Sequence, residues 1–288
     1  MTVRFIAFRR DGQTGLAVGG AVEGYRGLTA DQAGFPGTIE SLLAAGNDAL
    51  RGAAAALQSG AMVDLNQVTL LPPISTPSKI ICVGLNYKDH SAESGMTQPD
   101  YPTLFARFTS SLIAHDAPII RPKNSEKLDY EGELVAIIGK GGRHITKEAA
   151  LDHVAGYSIF NDGSVRDFQL RTPQWTMGKN FDGTGAFGPE FVTVDELPRG
   201  AVGLRLVTRL NGTVMQSAST DDLVFDVATL VSGISEAMTL EPGDLIVTGT
   251  PAGVGAARKP PVWMKAGDVC EVEIESLGVL RNTIADES

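Results

Sequence analysis

Residues 128–142 read LDYEGELVAIIGKGG. The unbroken apolar run Leu134 to Ile138, closed by Gly139, Gly141 and Gly142, has the length of a strand rather than of a helix. In an extended chain alternate residues share a face, so Asp129, Glu131 and Glu133 project together while Tyr130 and Leu134 point to the other side. Three like charges at that spacing repel one another unless a cation or a buried partner compensates them; the alternative is a solvated acidic strand edge.

Outward from this strand the same kind of segment recurs: KIICVGLN (79–86), PTLFARF (102–108), AGYSIFND (155–162), LRLVTRLNG (204–212), LIVTGT (245–250) and DVCEVEIESLGVLRN (268–282). Asn211-Gly212 marks a hairpin, and Pro242-Gly243-Asp244 and Lys265 to Asp268 set turn residues before strands. Helices are few: Lys147 to Leu151, a short piece within Ser164 to Leu170, and Phe225 to Met238, entered through Asp221, Asp222 and Asp226. On the N-terminal side, residues 2–9 and Thr14 to Val18 predict a hairpin turning at Asp11-Gly12, and residues 38–59 predict two short helices broken at Gly46-Asn47. Pro72, Pro73 and Pro77 then make a natural linker. The expected organisation is a small N-terminal hairpin-and-helix unit (1–72) followed by a larger unit (73–288), mostly β with α, in which a mixed or antiparallel sheet folds on itself with helices at its rim.

Composition narrows the function. With 24 Lys+Arg against 34 Asp+Glu the net charge is −10, and no cationic run is present to neutralise phosphates, so neither nucleic acid nor an anionic membrane is the expected partner. No apolar stretch approaches the roughly 20 residues that span a bilayer, and the opening MTVRFIAFRRDGQ breaks any signal-peptide core at Asp11-Gly12, so a cytoplasmic chain is expected. Cys82 and Cys270 lie in separate apolar runs without zinc spacing and read as structural thiols. The 33 glycines cluster between Gly139 and Gly188 and between Gly243 and Gly255, where the backbone must turn tightly or approach a neighbour.

Several residues carry chemistry. Asp162 ends its apolar strand and is followed by Gly163, a strand-end position suited to a site. A carboxylate set without Cys or His partners suits a hard cation, Mg²⁺, Mn²⁺ or Ca²⁺. His90 and Glu93, three residues apart in GLNYKDHSAESG, meet on one helical turn, as an oriented base does or as an exposed pair would, and Gly84 and Gly95 bracket them as hinges of a lid. Arg166, Gln169, Arg171 and Lys179 follow Asp162, either as an anion-binding group or as loop salt bridges. The loop GTPAGVG (249–255) lacks the lysine of a phosphate loop.

The order NYKDHSAE, DYEGELVAIIG, GYSIFNDGSVRDFQ, GKNFDGTGAFGP, LNGTVMQ, PGDLIVTGTPAGVG and GDVCEVEIESLGVLRN closely resembles the fumarylacetoacetate hydrolase family, in its acylpyruvate hydrolase and 2-hydroxyhepta-2,4-diene-1,7-dioate isomerase-like branch, from about Lys79 to Asn282. The resemblance implies a mixed β-roll catalytic domain behind a variable N-terminal α/β domain, a homodimer, a bound Mg²⁺ or Mn²⁺ (Ca²⁺ as a third choice), and a small anionic 2-oxo or 2,4-dioxo acid substrate. It assigns Glu131, Glu133 and Asp162 as metal ligands, His90, Glu93 and Lys179 as catalytic, and Arg166, Gln169 and Thr250 as substrate-binding, with Asp129 behind them. The expected reaction is hydrolysis of a carbon–carbon bond in an acylpyruvate by a His90-activated water through an enolate. Oxaloacetate decarboxylation and hydroxymuconate-type isomerisation are alternatives at the same site, and a non-catalytic ligand-binding protein is the alternative of another class. Trp175, Met177 and Trp263 are candidates for the acyl end of the pocket.

Overall fold

The computed structural model describes residues 3–288. Thr2, at which the first strand is expected to begin, lies outside the described residues, and the strand runs Arg4–Arg10. It turns through Asp11 (φ 51°) and Gly12 (φ 80°), left-handed positions that a two-residue hairpin demands, into the strand Gln13–Gly20. The helices Ile39–Ala45 and Asn47–Gln58 follow, separated at Gly46, whose φ of 97° ends the first of them.

Two sheets dominate. Along the larger one the strands run Ala61–Val63, Gly24–Thr29, Gln13–Gly20, Arg4–Arg10, Gly185–Thr193, Val154–Asp162, Gly132–Ile138, Leu245–Val247, Ile80–Gly84 and Thr103–Arg107. The N-terminal hairpin is therefore hydrogen-bonded into this sheet, with Arg4 and Phe5 opposite Val192 and Phe191. The second sheet orders Thr213–Ser219, Arg205–Leu210, Val269–Ile274, Gly278–Asp286 and Ile119–Arg121, and Asn211 (φ 50°) with Gly212 (φ 77°) makes its first hairpin as the sequence predicts. Strands carry most of the regular structure, and the fold is mostly β with α.

The run LVAII explains itself by packing. Leu134, Ala136 and Ile138 join the core shared with Leu206, Val272, Ile274 and Leu280 of the second sheet, whereas Val135 and Ile137 face Leu42, Leu43, Leu50 and Leu57 of the N-terminal helices. A strand covered on both faces cannot alternate apolar with polar, and each large side chain it buries contributes about 1.5–3 kcal/mol. The helix Val227–Ala237 adds Val227, Leu230, Val231 and Ile234 to the first core, and Asp226 caps it by accepting the Thr229 N–H at 2.7 Å. The central strands thus form a rigid floor, and its carboxylate-bearing end is where the site lies.

Candidate active site

The antiparallel pairing of Gly132–Ile138 with Val154–Asp162 sets Gly132 opposite Asn161 and Glu133 opposite Phe160, which brings Asp162 beside the two glutamates. Upstream the ladder changes partner, because Leu128–Asp129 pairs with Ser164–Val165. Glu131 sits at that junction, its N–H donating to Asn161 Oδ1 at 3.0 Å and its carbonyl accepting the Asp162 N–H at 2.8 Å. One oxygen from each of Glu131, Glu133 and Asp162 lies within 4.8 Å of the others, and all three residues are buried. Asp129 turns away from this trio: it accepts the N–H groups of Gly255 (2.8 Å) and Ala256 (2.9 Å) and pairs with Arg166 Nε at 2.8 Å.

Three buried cations meet these acids. Lys179 Nζ reaches Glu131 at 2.7 Å and Asp162 at 2.6 Å, and Arg166 Nη1 reaches Glu131 at 2.5 Å. Arg107, which sequence reasoning did not single out, pairs with the other oxygen of Asp162 and donates to Thr184 Oγ1 at 2.8 Å and to the Gly163 carbonyl at 3.1 Å. Its signal was a lone charge inside the apolar strand PTLFARF. Burial alone would raise the Glu131 carboxyl, but Lys179 and Arg166 outweigh it and hold that group down at about 2. Lys179 is raised above its ordinary value because Asp162 and Glu131 overcome the desolvation that would lower it. Glu133 is the exception. Burial pushes it well up, Asp162 and Glu131 push it further, and its hydrogen bond comes from the Gly249 N–H at 2.5 Å.

That imbalance is a test of whether a cation belongs here. An all-oxygen donor set with one carboxylate left without a cationic side chain fits a hard divalent ion. Glu131, Glu133 and Asp162 are the residues that would hold it.

The short helix Lys88–Glu93 presents His90 and Glu93 together, with His90 Nδ1 and Glu93 Oε1 2.9 Å apart. Glu93 is itself fixed by the Gly253 N–H at 3.0 and 2.9 Å. Gly253 (φ 106°) lies so close to the second sheet that a Cβ there would stand 2.1 Å from the Met215 carbonyl oxygen. With Nδ1 engaged, Nε2 of His90 is the nitrogen left for the cavity that the ring lines. This cavity, of about 260 Å³, is also lined by Glu131, Glu133, Arg166, Gln169, Lys179 and Thr250, and Asp162 lies fully buried beneath it.

Three details qualify the expected roles. Thr250 Oγ1 donates to the Gly132 carbonyl (3.0 Å) and accepts from Gln216 Nε2 (2.7 Å), so its hydroxyl is committed within the protein. Gln169 Oε1 accepts from Arg166 Nη1 at 2.9 Å, and among the described residues its amide N–H groups have no acceptor and the buried Arg166 Nη2 has no hydrogen-bond partner. Trp175 lines the cavity, whereas Met177 is 66% exposed and Trp263 does not line it. Gln216, reaching across from the second sheet to the Gly132 N–H at 3.0 Å, ends the stretch LNGTVMQ, and nothing local in that stretch marks this contact.

Comparison with known proteins places the chain in a family. Residues 79–285 match the fumarylacetoacetate (FAA) hydrolase C-terminal family. A mitochondrial oxaloacetate tautomerase from Xenopus laevis is 41% identical over 262 residues, covering 89% of this chain and 81% of its own. That relative's compartment differs from the cytoplasmic placement expected of this chain; among the described residues no helix is long and apolar enough to cross a membrane. Fumarylacetoacetate hydrolase from the psychrophile Exiguobacterium antarcticum is 37% identical with a TM-score of 0.86, covering 99% of this chain and 100% of its own. A 2-hydroxyhepta-2,4-diene-1,7-dioate isomerase from Mycobacterium marinum is 31% identical with a TM-score of 0.76 and covers 99% of each chain. From the sheet that seats the carboxylates to the cavity that His90 lines, this chain belongs to the fumarylacetoacetate hydrolase family of enzymes.

Proposed function

We propose that this protein is a divalent-cation-dependent enzyme that forms and quenches the enolate of a small 2-oxo acid, and that keto–enol tautomerisation of an oxaloacetate-class acid is its reaction. The observation that carries the reading is a His–Glu base pair opening on a cavity of about 260 Å³ that also holds Arg166 and Lys179. That volume lies below the roughly 300–1,000 Å³ of most ligand pockets, which favours a four-carbon acid over a long acylpyruvate. The identity to an oxaloacetate tautomerase supports the same choice.

The unpartnered Arg166 Nη2 and the free Gln169 amide are the groups to receive a substrate carboxylate. Glu93 holds the His90 imidazole with Nδ1–H donating, so that Nε2 takes a proton from the carbon next to the keto group and returns it to the enolate oxygen, or the reverse. Lys179 places a fixed positive charge beside Glu131 and Asp162, where the enolate charge would develop. A Mg²⁺ or Mn²⁺ ion held by Glu131, Glu133 and Asp162 would supply Lewis acidity to that charge.

Exchange of the carbon-bound hydrogens of oxaloacetate with deuterated water, followed by NMR, tests the reading. His90→Ala is expected to lose on the order of 10²-fold or more of the exchange rate. Full exchange in that variant would sink it. The second reading, carbon–carbon hydrolysis, is favoured by the likeness to a fumarylacetoacetate hydrolase and uses the same His90 to deprotonate water; isotope from labelled water in a released carboxylate identifies it.

A further inference from the structure

Trp175 is a large side chain of the cavity that neither the acid–base pair nor the carboxylate group explains. It follows the exposed loop at Leu170 to Gln174 and precedes the short helix Thr176–Lys179 that delivers Lys179. Its ring is seated by two neighbours. Phe105 meets it edge-on, with ring centroids 5.4 Å apart and planes at 69°. Gly84, the last residue of the strand Ile80–Gly84, lies under it so closely that a Cβ there would fall 2.2 Å from Trp175 Cζ3. Gly84 has no left-handed φ to account for a glycine, so the ring is what a side chain at 84 would displace.

The same Phe105 ring carries Lys179 Nζ at 4.9 Å from its centroid. Lys179 and Trp175 therefore both contact the Phe105 ring, and all three side chains line the same cavity. Phe105 and the indole are thus cavity wall against which the tail of a 2-oxo acid with its keto end at Lys179 would pack.

We propose that Trp175, seated on Gly84 and Phe105, sets the chain length of the 2-oxo acid that this cavity accepts. The inference rests on the 2-oxo acid reading above, and the indole acts by occupying the volume that added methylenes need. A methylene in or out of such a contact changes affinity by about tenfold or more.

The test is calorimetric binding of 2-oxo dicarboxylates of increasing length, 2-oxoglutarate, 2-oxoadipate and 2-oxopimelate, with Mg²⁺ present. The wild-type protein should bind 2-oxoglutarate best and lose about tenfold at each further carbon. In Trp175→Ala the two longer acids should gain at least tenfold while 2-oxoglutarate changes less than threefold; Trp175→Phe should fall between. Gly84→Ala, which displaces the ring from its seat, should alter the length preference with residue 175 unchanged. Binding that shifts equally at all lengths, or not at all, overturns the role of Trp175 alone. Failure of the wild-type protein to bind any of these acids, or oxaloacetate itself, overturns the 2-oxo acid reading and this inference with it.

Discussion

Replacing Asp129 by Asn is the sharpest test of how the site is held. Its two carboxylate oxygens accept four donors: the Tyr130 N–H at 2.9 Å and the Gly255 N–H at 2.8 Å on Oδ1, and the Ala256 N–H at 2.9 Å and Arg166 Nε at 2.8 Å on Oδ2. An amide can keep one oxygen on the first pair but turns N–H groups toward the second, so two buried donors lose their acceptor. Each such loss costs about 1–3 kcal/mol, and removing one partner of a buried ion pair costs about 3–5 kcal/mol. Arg166 still holds Glu131 at 2.5 Å and Gln169 at 2.9 Å, which places the expected loss near the lower figure, about 3 kcal/mol. At roughly 2–4 °C per kcal/mol for a large domain, thermal melting should shift down by on the order of 6–12 °C. Asp152→Asn is the control, because Asp152 is 65% exposed in its pair with Arg199 and such a pair is worth about 0–1 kcal/mol. If the two variants melt together, the carboxylate of Asp129 is not what holds Arg166 and the 255–256 loop in place.

Three further outcomes follow from the same geometry. Glu133→Gln should weaken Mn²⁺ binding at least tenfold by calorimetry while melting no lower without metal, since burial already disfavours the charged form of that carboxyl; unchanged Mn²⁺ affinity would remove Glu133 from the ligand set. His115 is held below its ordinary pKa by burial and, to a lesser degree, by Arg281, with Asp116 opposing, and its Nδ1 accepts the Arg281 N–H at 3.0 Å. The unfolded chain therefore takes up this proton first as pH falls, so stability should decline as pH drops below about 6.5, and His115→Gln should flatten that decline in urea titrations at several pH values. Finally, chelation should weaken 2-oxo acid binding at least tenfold, because the acids around the cavity then outnumber the cations; equal calorimetric affinity with and without chelator would contradict that.

The strands were legible because apolar runs bounded by Gly and Pro leave a helix too little length, and the hairpins at Asp11-Gly12 and Asn211-Gly212 because only small or Asn/Asp residues take left-handed φ cheaply. What the sequence could not show is that Leu134, Ala136 and Ile138 serve one core and Val135 and Ile137 another, because an unbroken apolar run has no period from which to tell its faces apart. It also could not show the N-terminal hairpin continuing the large sheet, since the pairing of Phe5 with Phe191 is a contact between residues far apart in the chain.

The site divides along the same line. Spacing on one strand brought Glu131 and Glu133 into view and helical spacing brought in His90 and Glu93, because both are local relations. Alternation also put Asp129 on the same face, and there it misled: the ladder changes partner between Asp129 and Gly132, so Asp129 leaves the carboxylate trio and holds Arg166 instead. Arg107 and Gln216 escaped notice because their partners, Asp162 and Gly132, are brought to them only by sheet pairing and sheet stacking. Counting both kinds of residue, four buried carboxylates at Asp129, Glu131, Glu133 and Asp162 face three buried cations at Arg107, Arg166 and Lys179. The deficit falls at Glu133, which pairs with no cationic side chain among the described residues and whose carboxyl burial pushes toward its neutral form. A protein that spends three buried cations on this cluster and still leaves one acid short is arranged for a positive charge that its own side chains do not provide.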